Sequence, residues 1–159
     1  MPILFLGLLL PVLVFVFLKF FGRNQFDVPL LYENGVTEIP EGCGRSYPAP
    51  YKLPDSVLLR IYPDSLASVL LLVNFGDEPS KLQDIITKFD SELAVVTGKD
   101  ITMGRSEVEA VRRCVLLLEE PYDMVLIDSE KNIRGHYNGA DRDELDRLEA
   151  EITIILNKY

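Results

Sequence analysis

The sequence predicts an α/β domain, a central mixed sheet flanked by helices, carried behind one N-terminal transmembrane helix. Three observations predict it. The first 18 residues hold no charged side chain. Beyond residue 56, short apolar runs of strand length alternate with a segment whose apolar residues recur at helical spacing. The chain then closes with two apolar runs near enough to form a hairpin and a long amphipathic stretch behind a capping residue.

The anchor comes first. Met1 to Leu18 reads MPILFLGLLLPVLVFVFL, and Lys19, Phe20, Phe21, Gly22 and Arg23 follow. A helix needs about 20 apolar residues to cross the hydrocarbon core, and residues 1–21 supply them if Lys19 snorkels to the interface. Pro11 removes one backbone donor, which membrane helices tolerate. A cleaved signal would carry its basic residues ahead of the apolar run and a small-residue cleavage site behind it. Here the basic residues come after, so the helix is expected to stay. Lys19 and Arg23, taken alone, place the following domain in the cytoplasm by the positive-inside rule.

Residues 22–56 read as a linker and an extended arm. Pro29, Pro40, Pro48, Pro50 and Pro54, with Gly35, Gly42 and Gly44 between them, leave no room for a long helix. The arm is too apolar for a solvated tether, with Val28, Leu30, Leu31, Tyr32, Tyr47 and Tyr51 along it. Residues 57–159 form the domain. Val57–Tyr62 is a short strand candidate, and Ser68–Phe75 is a continuous apolar run as a central strand requires. Pro79 suits the first turn of a helix whose face is Leu82, Ile85, Ile86 and Phe89. Leu93–Thr97 is a second buried strand. A weak helix near Ser106–Arg113 leads to the apolar run Cys114–Leu118. Met124–Asp128, a turn at 129–132 and Ile133–Tyr137 make the hairpin. Asp141 caps the last helix, with Leu145, Leu148, Ile152, Ile155 and Leu156 inward and Asp143, Glu144, Arg147 and Glu151 facing water. A β–α–β unit followed by a hairpin and a terminal helix is the thioredoxin-like layout.

Composition excludes several classes of function. The net charge is −9, from 25 acidic and 16 basic side chains with no basic stripe, so nucleic acid is not an expected partner. Cys43 and Cys114 are too few for a disulfide scaffold and too far apart for a CxxC centre, and the single His136 cannot build a multi-histidine metal site.

The segment from Met124 to Ile152 carries a more specific signal. Val125-Leu126-Ile127-Asp128, Arg134-Gly135-His136-Tyr137-Asn138-Gly139 and Glu144-Leu145-Asp146-Arg147-Leu148 resemble the C-terminal elements of the Sco/SenC family, membrane-anchored thioredoxin-like proteins associated with copper delivery to cytochrome oxidase. The apolar helix running into LKFFGRNQFDVPLLYE is similar to Sco-like proteins of the Bacteroidetes group. The resemblance implies a thioredoxin-like fold in a bacterial inner membrane with the domain on the periplasmic side, since long domains cross regardless of two flanking charges. Copper-binding members carry a C-P-x-x-C-P motif after the first central strand and a distant histidine. Here that strand runs into Gly76-Asp77-Glu78-Pro79-Ser80, and Glu119-Glu120-Pro121-Tyr122-Asp123 supplies no histidine. The family's copper and thiol chemistry therefore does not carry over.

No catalytic, cofactor-binding or metal-binding residue is assigned. Asp77 and Glu78 are explained by capping at a helix N-terminus. His136 reads as a hairpin histidine without a chemical role. In an oxidising compartment Cys43 and Cys114 can join arm to domain, worth about 2–4 kcal/mol in the chain-entropy model; the alternative is a buried free Cys114 and an unpaired Cys43. Pro121 stands before a strand as the cis-proline of thioredoxin-like folds does, and an ordinary loop proline would stand there equally well. The expected function is non-enzymatic, without cofactor: an accessory subunit or assembly factor of a respiratory membrane complex, a haem–copper oxidase or one associated with it. Tyr32, Tyr47 and Tyr51 on the arm either meet that partner or pack the arm onto its own domain. The alternatives are a thiol-dependent redox protein using Cys114 or Cys43, and a copper protein using Cys43, His136 and one of Met1, Met103 or Met124.

Overall fold

The computed structural model describes residues 10–17, 27–44, 46–64 and 70–158. Residues 10–17 are helical with exposed apolar side chains; the rest of the expected anchor lies outside the described residues, among which no helix is long and apolar enough to cross a membrane. The domain follows the order α1 (Asp55–Ile61), β1 (Leu70–Asn74), α2 (Ser80–Lys88), β2 (Leu93–Thr97), α3 (Arg105–Cys114), β3 (Met124–Ile127), β4 (Ile133–Tyr137) and α4 (Arg142–Lys158).

The four strands form one mixed sheet in the order β2-β1-β3-β4. β1 and β2 are parallel, as the connecting helix α2 requires, and β3 runs antiparallel to both β1 and β4. Side chains alternate between two cores. Leu71, Val73, Val96, Val125 and Ile127 point to one face, covered by α1, α3 and the arm. Leu70, Leu72, Leu93, Met124 and Leu126 point to the other, covered by α2 and α4 through Leu82, Ile85, Leu145, Leu148 and Ile152. Burying each such aliphatic side chain contributes about 1.5–3 kcal/mol.

β4 crosses between the cores. Leu126 pairs with Gly135 but Ile127 pairs with Ile133, so Arg134 is an extra residue on β4. Such a bulge shifts the alternation by one. Ile133 thus faces the first core and Tyr137, four residues on, faces the second. The bulge also holds Arg134 inside, where its guanidinium lies 3.4 Å from Asp128 and donates to the Val28 carbonyl at 2.7 Å. Asp128 in turn accepts the backbone N–H groups of Glu130 and Asn132, which closes the hairpin turn.

Two expected strands are not strands. Val57–Tyr62 lies in helix α1 (and its cap), because Pro54 stands at the cap, Asp55 occupies the first turn, and Leu58 and Ile61 bury one face at helical spacing. A run this short does not separate the two periods. Cys114–Leu118 is the end of α3 and the turn behind it. Leu117 adopts a left-handed φ of 53°, and Leu118 donates its N–H back to the Arg112 carbonyl, which ends the helix. The remaining elements fall within a few residues of their expected places, and Asp141 accepts the Asp143 N–H at the start of α4. Glu144, Arg147 and Glu151 are half-buried rather than facing water: Arg147 pairs with both carboxylates and lies over the Tyr137 ring at 4.4 Å. Both Ala49–Pro50 and Glu120–Pro121 peptide bonds are cis.

Gly135 gives this packing a testable point. The Tyr137 ring folds back across it to reach Glu151, and a Cβ at residue 135 would lie 2.5 Å from the Tyr137 hydroxyl oxygen. Gly135→Ala should cost about 1–3 kcal/mol in urea denaturation, as overpacked cores do. Gly104→Ala, into open space at φ −63°, should stay within about 0.5 kcal/mol of the parent. Equal stabilities for the two variants would refute the packing role of Gly135.

Candidate functional site

The parallel pair β1–β2 leaves its carboxyl ends side by side, the usual place for a binding crevice in α/β sheets. A groove of about 1300 Å³ opens there. Its floor is Asn74, Phe75 and Gly76 from the end of β1 and Thr97 and Gly98 from the end of β2. Asp77 and Glu78 form one wall. Arg105, Val108, Glu109 and Arg112 form the other, spaced so that one face of α3 lines the groove along its length.

The floor is built by buried polar groups. Asn74 is fully enclosed; its side chain accepts the Gly76 N–H at 2.9 Å and donates to the Asp77 carbonyl at 3.2 Å. Phe75 donates its N–H to the Asp123 carbonyl, and the Asp123 carboxylate lies against Gly76 while accepting the Gly139 N–H at 2.7 Å. A side chain at residue 76 would displace that carboxylate, so glycine here answers to a close approach. The guanidinium of Arg112 lies 6.0 Å from the Phe75 ring centroid and reaches Glu120 and the Tyr122 carbonyl only at 3.4 Å. The lining balances Lys99, Arg105 and Arg112 against Asp77, Glu78 and Glu109, in a chain of net charge −9. It offers polar and stacking contacts, and its lining holds no thiol or histidine; the Thr97 hydroxyl on its floor donates to the Asp100 carboxylate at 2.7 Å, in the turn behind β2.

The cysteines lie elsewhere. Cys43, on the arm, and Cys114, the last residue of α3, are joined in a disulfide with Cα atoms 5.4 Å apart, and neither lines the groove. A thiolate at Cys114 would face the negative end of the α3 dipole, the reverse of the helix-start position that activates thiols. Of the two neighbouring arginines, Arg112 reaches toward Tyr122, while Arg113 donates to the Glu41 carbonyl on the arm, two residues before Cys43.

The arm tyrosines serve the chain itself. Tyr51 is buried and donates to the Val115 carbonyl, Tyr47 donates to the Cys114 carbonyl, and Tyr32 packs edge-on to Tyr51. Of the two expectations for these residues, packing onto the domain is what the structure describes: the Tyr51 ring fills the first core, and Tyr32 and Tyr47 pack half-buried against it. Nor do the copper alternatives converge. Met124 is enclosed in the second core, Met103 packs on the first, Cys43 is in the disulfide, and Met1 lies outside the described residues. Among the described residues no three of His, Cys, Asp and Glu gather as a metal-binding group. The lining from α3 was missed in the sequence because its helix signal was weak. The position of Arg105, Glu109 and Arg112 at i, i+4 and i+7 was the available clue.

His136 donates its Nε2–H to the Leu116 carbonyl at 2.9 Å, between the rings of Tyr32 and Tyr122. Burial holds its pKa down at about 4, against the pull of the Leu116 carbonyl, with Arg147 adding to the depression. The unfolded chain accepts this proton near pH 6.5, the folded protein only near 4. Stability from this residue is therefore full above about pH 6.5 and lost as pH falls to about 4, by about 3 kcal/mol in all. His136→Gln keeps an N–H donor without the titration. Urea denaturation across that window should give a shallower acid limb for the variant; superimposable limbs would show that His136 is not held neutral.

No family model, curated protein or solved structure matches the chain.

Proposed function

We propose that the chain is a membrane-tethered domain of thioredoxin-like fold that holds a partner and turns over no substrate. In this reading it is an accessory subunit or assembly factor of a respiratory complex, a haem–copper oxidase or one associated with it, with the domain on the periplasmic side of a bacterial inner membrane. The fold assignment is supported by strand order β2-β1-β3-β4 with β1 and β2 parallel and β3 antiparallel to its neighbours β1 and β4. The tether is supported by the charge-free run Met1–Leu18. The respiratory setting rests on the resemblance of the 124–152 segment and of the opening to Sco-like proteins, an argument from family likeness.

One observation carries the non-catalytic reading. Where a thioredoxin-like enzyme places its thiols, at the loop from β1 into α2, this chain has Gly76-Asp77-Glu78-Pro79-Ser80, and both cysteines are bonded to each other at the far end of α3. The groove is then a contact surface, and the tether raises the effective concentration at which it meets a membrane partner.

The deciding experiment is genetic and biochemical together. Deletion should impair assembly of the respiratory complex, and Cys43→Ser or Cys114→Ser, stably expressed, should restore it. Lys99→Glu with Arg105→Glu, both exposed on the groove, should restore membrane levels of the chain but lower the copurifying complex at least about tenfold, the scale on which one lost charged contact weakens binding. A cysteine variant that behaves like the deletion would return the function to thiol chemistry.

A further inference from the structure

The chain between Tyr32 and Tyr51 is a loop closed at its base and pinned at its tip. At the base, Tyr51 donates its N–H to the Tyr32 carbonyl at 3.1 Å. On either side of that bond, Leu31 donates to Ile133 and Leu53 to Lys131, so both ends of the loop sit on the β3–β4 hairpin. At the tip, Cys43 is bonded to Cys114.

Between base and tip there is almost no core. Among the described residues from 33 to 50, Cys43 is the one that is buried. Val36 and Tyr47 pack half-buried against the first core, while Ile39 is 55% exposed. Gly35, Gly42, Pro40, Pro48 and Pro50 exclude regular structure, and Glu33, Glu38 and Glu41 are exposed to water. Besides the disulfide, the tip keeps the Tyr47 bond to the Cys114 carbonyl at 2.8 Å and the Arg113 bond to the Glu41 carbonyl. A segment with so little buried surface belongs to the low-stability end of a fold, held closed here by its covalent link.

We infer that the Cys43–Cys114 disulfide is a redox-released strap: on reduction the 33–50 loop leaves α3 while its base and the sheet remain folded. A dithiol reductant supplies the step. Its thiolate attacks one cystine sulfur to form a mixed disulfide, and its second thiol then displaces the protein sulfur. Two electrons and two protons pass to the cystine, leaving Cys43 and Cys114 as thiols and the reductant as a disulfide. Release uncovers the last turn of α3 and frees an acidic loop beside it. This switch is independent of what the groove binds.

Protease access on the full chain in detergent micelles tests it. A glutamate-specific protease is applied to the oxidised protein, to the dithiothreitol-reduced protein and to the Cys43→Ser, Cys114→Ser double variant. Cleavage after Glu38 and Glu41 should rise at least about tenfold on reduction, the scale set by losing a long-loop crosslink. Cleavage after Glu107 in α3 and Glu151 in α4 should not change. The double variant should cleave at the reduced rate with or without dithiothreitol. Equal rates at Glu38 and Glu41 in both redox states would overturn the strap. So would a matching rise at Glu107 and Glu151, which would make the disulfide a staple for the whole domain. Two free thiols by intact mass in the air-oxidised protein would also overturn it.

Discussion

The enclosed pair of Arg134 and Asp128 is the constraint on which the rest of the molecule leans. Arg134 is the extra residue of the β4 bulge, and its side chain is 5% exposed. Inside, it joins the hairpin turn, through Asp128, to the arm, through the Val28 carbonyl. A guanidinium without those acceptors would carry a large desolvation penalty, so bulge, turn and arm stand or fall together. The bulge also decides which way Ile133 and Tyr137 point, and with them the two cores. The arm is thereby a structural layer of the domain: it bonds the start of the edge strand β4 at the Ile133 carbonyl and the hairpin turn at the Lys131 carbonyl.

Much of this architecture is legible in the sequence where pattern and period agree. Leu70–Asn74 and Leu93–Thr97 are apolar on both faces because both faces are covered. Asp141 and the Leu145, Leu148, Ile152 stripe announce α4 from end to end. The failures have a common cause. Val57–Tyr62 and Cys114–Leu118 are apolar runs too short to reveal their period, and what decided them was local: the Pro54–Asp55 helix start in one case, a left-handed Leu117 in the other. The bulge at Arg134 could not be read at all, since alternation along Ile133–Tyr137 carries no mark of the buried Arg134–Asp128 contact that goes with it. The groove was half legible. Asp77 and Glu78 were visible at the start of α2, but the facing wall depends on how α3 lies against the sheet.

Position separates the chemistry available to the two kinds of site. The thiols are at a helix C-terminus and locked to the arm, where the dipole opposes a thiolate. The loop at the head of α2, where the dipole would favour one, is pinned by the enclosed amide of Asn74 and filled with carboxylates. The same fold features that could activate a cysteine are thus used to shape a rigid, charge-balanced recess.

Asp27, the first described residue of the arm, pairs with Lys158 and shares a depression with Leu70, Asp128 and Ile155, all at the amino-terminal end of β1. The groove lies at the opposite end of that strand, four residues on and roughly 13 Å away. The domain therefore has two poles, one where the chain arrives and one where the recess opens. Under the proposed N-terminal tether, the recess opens at the pole opposite to the one where the chain enters the domain, and the proposed partner would meet it there.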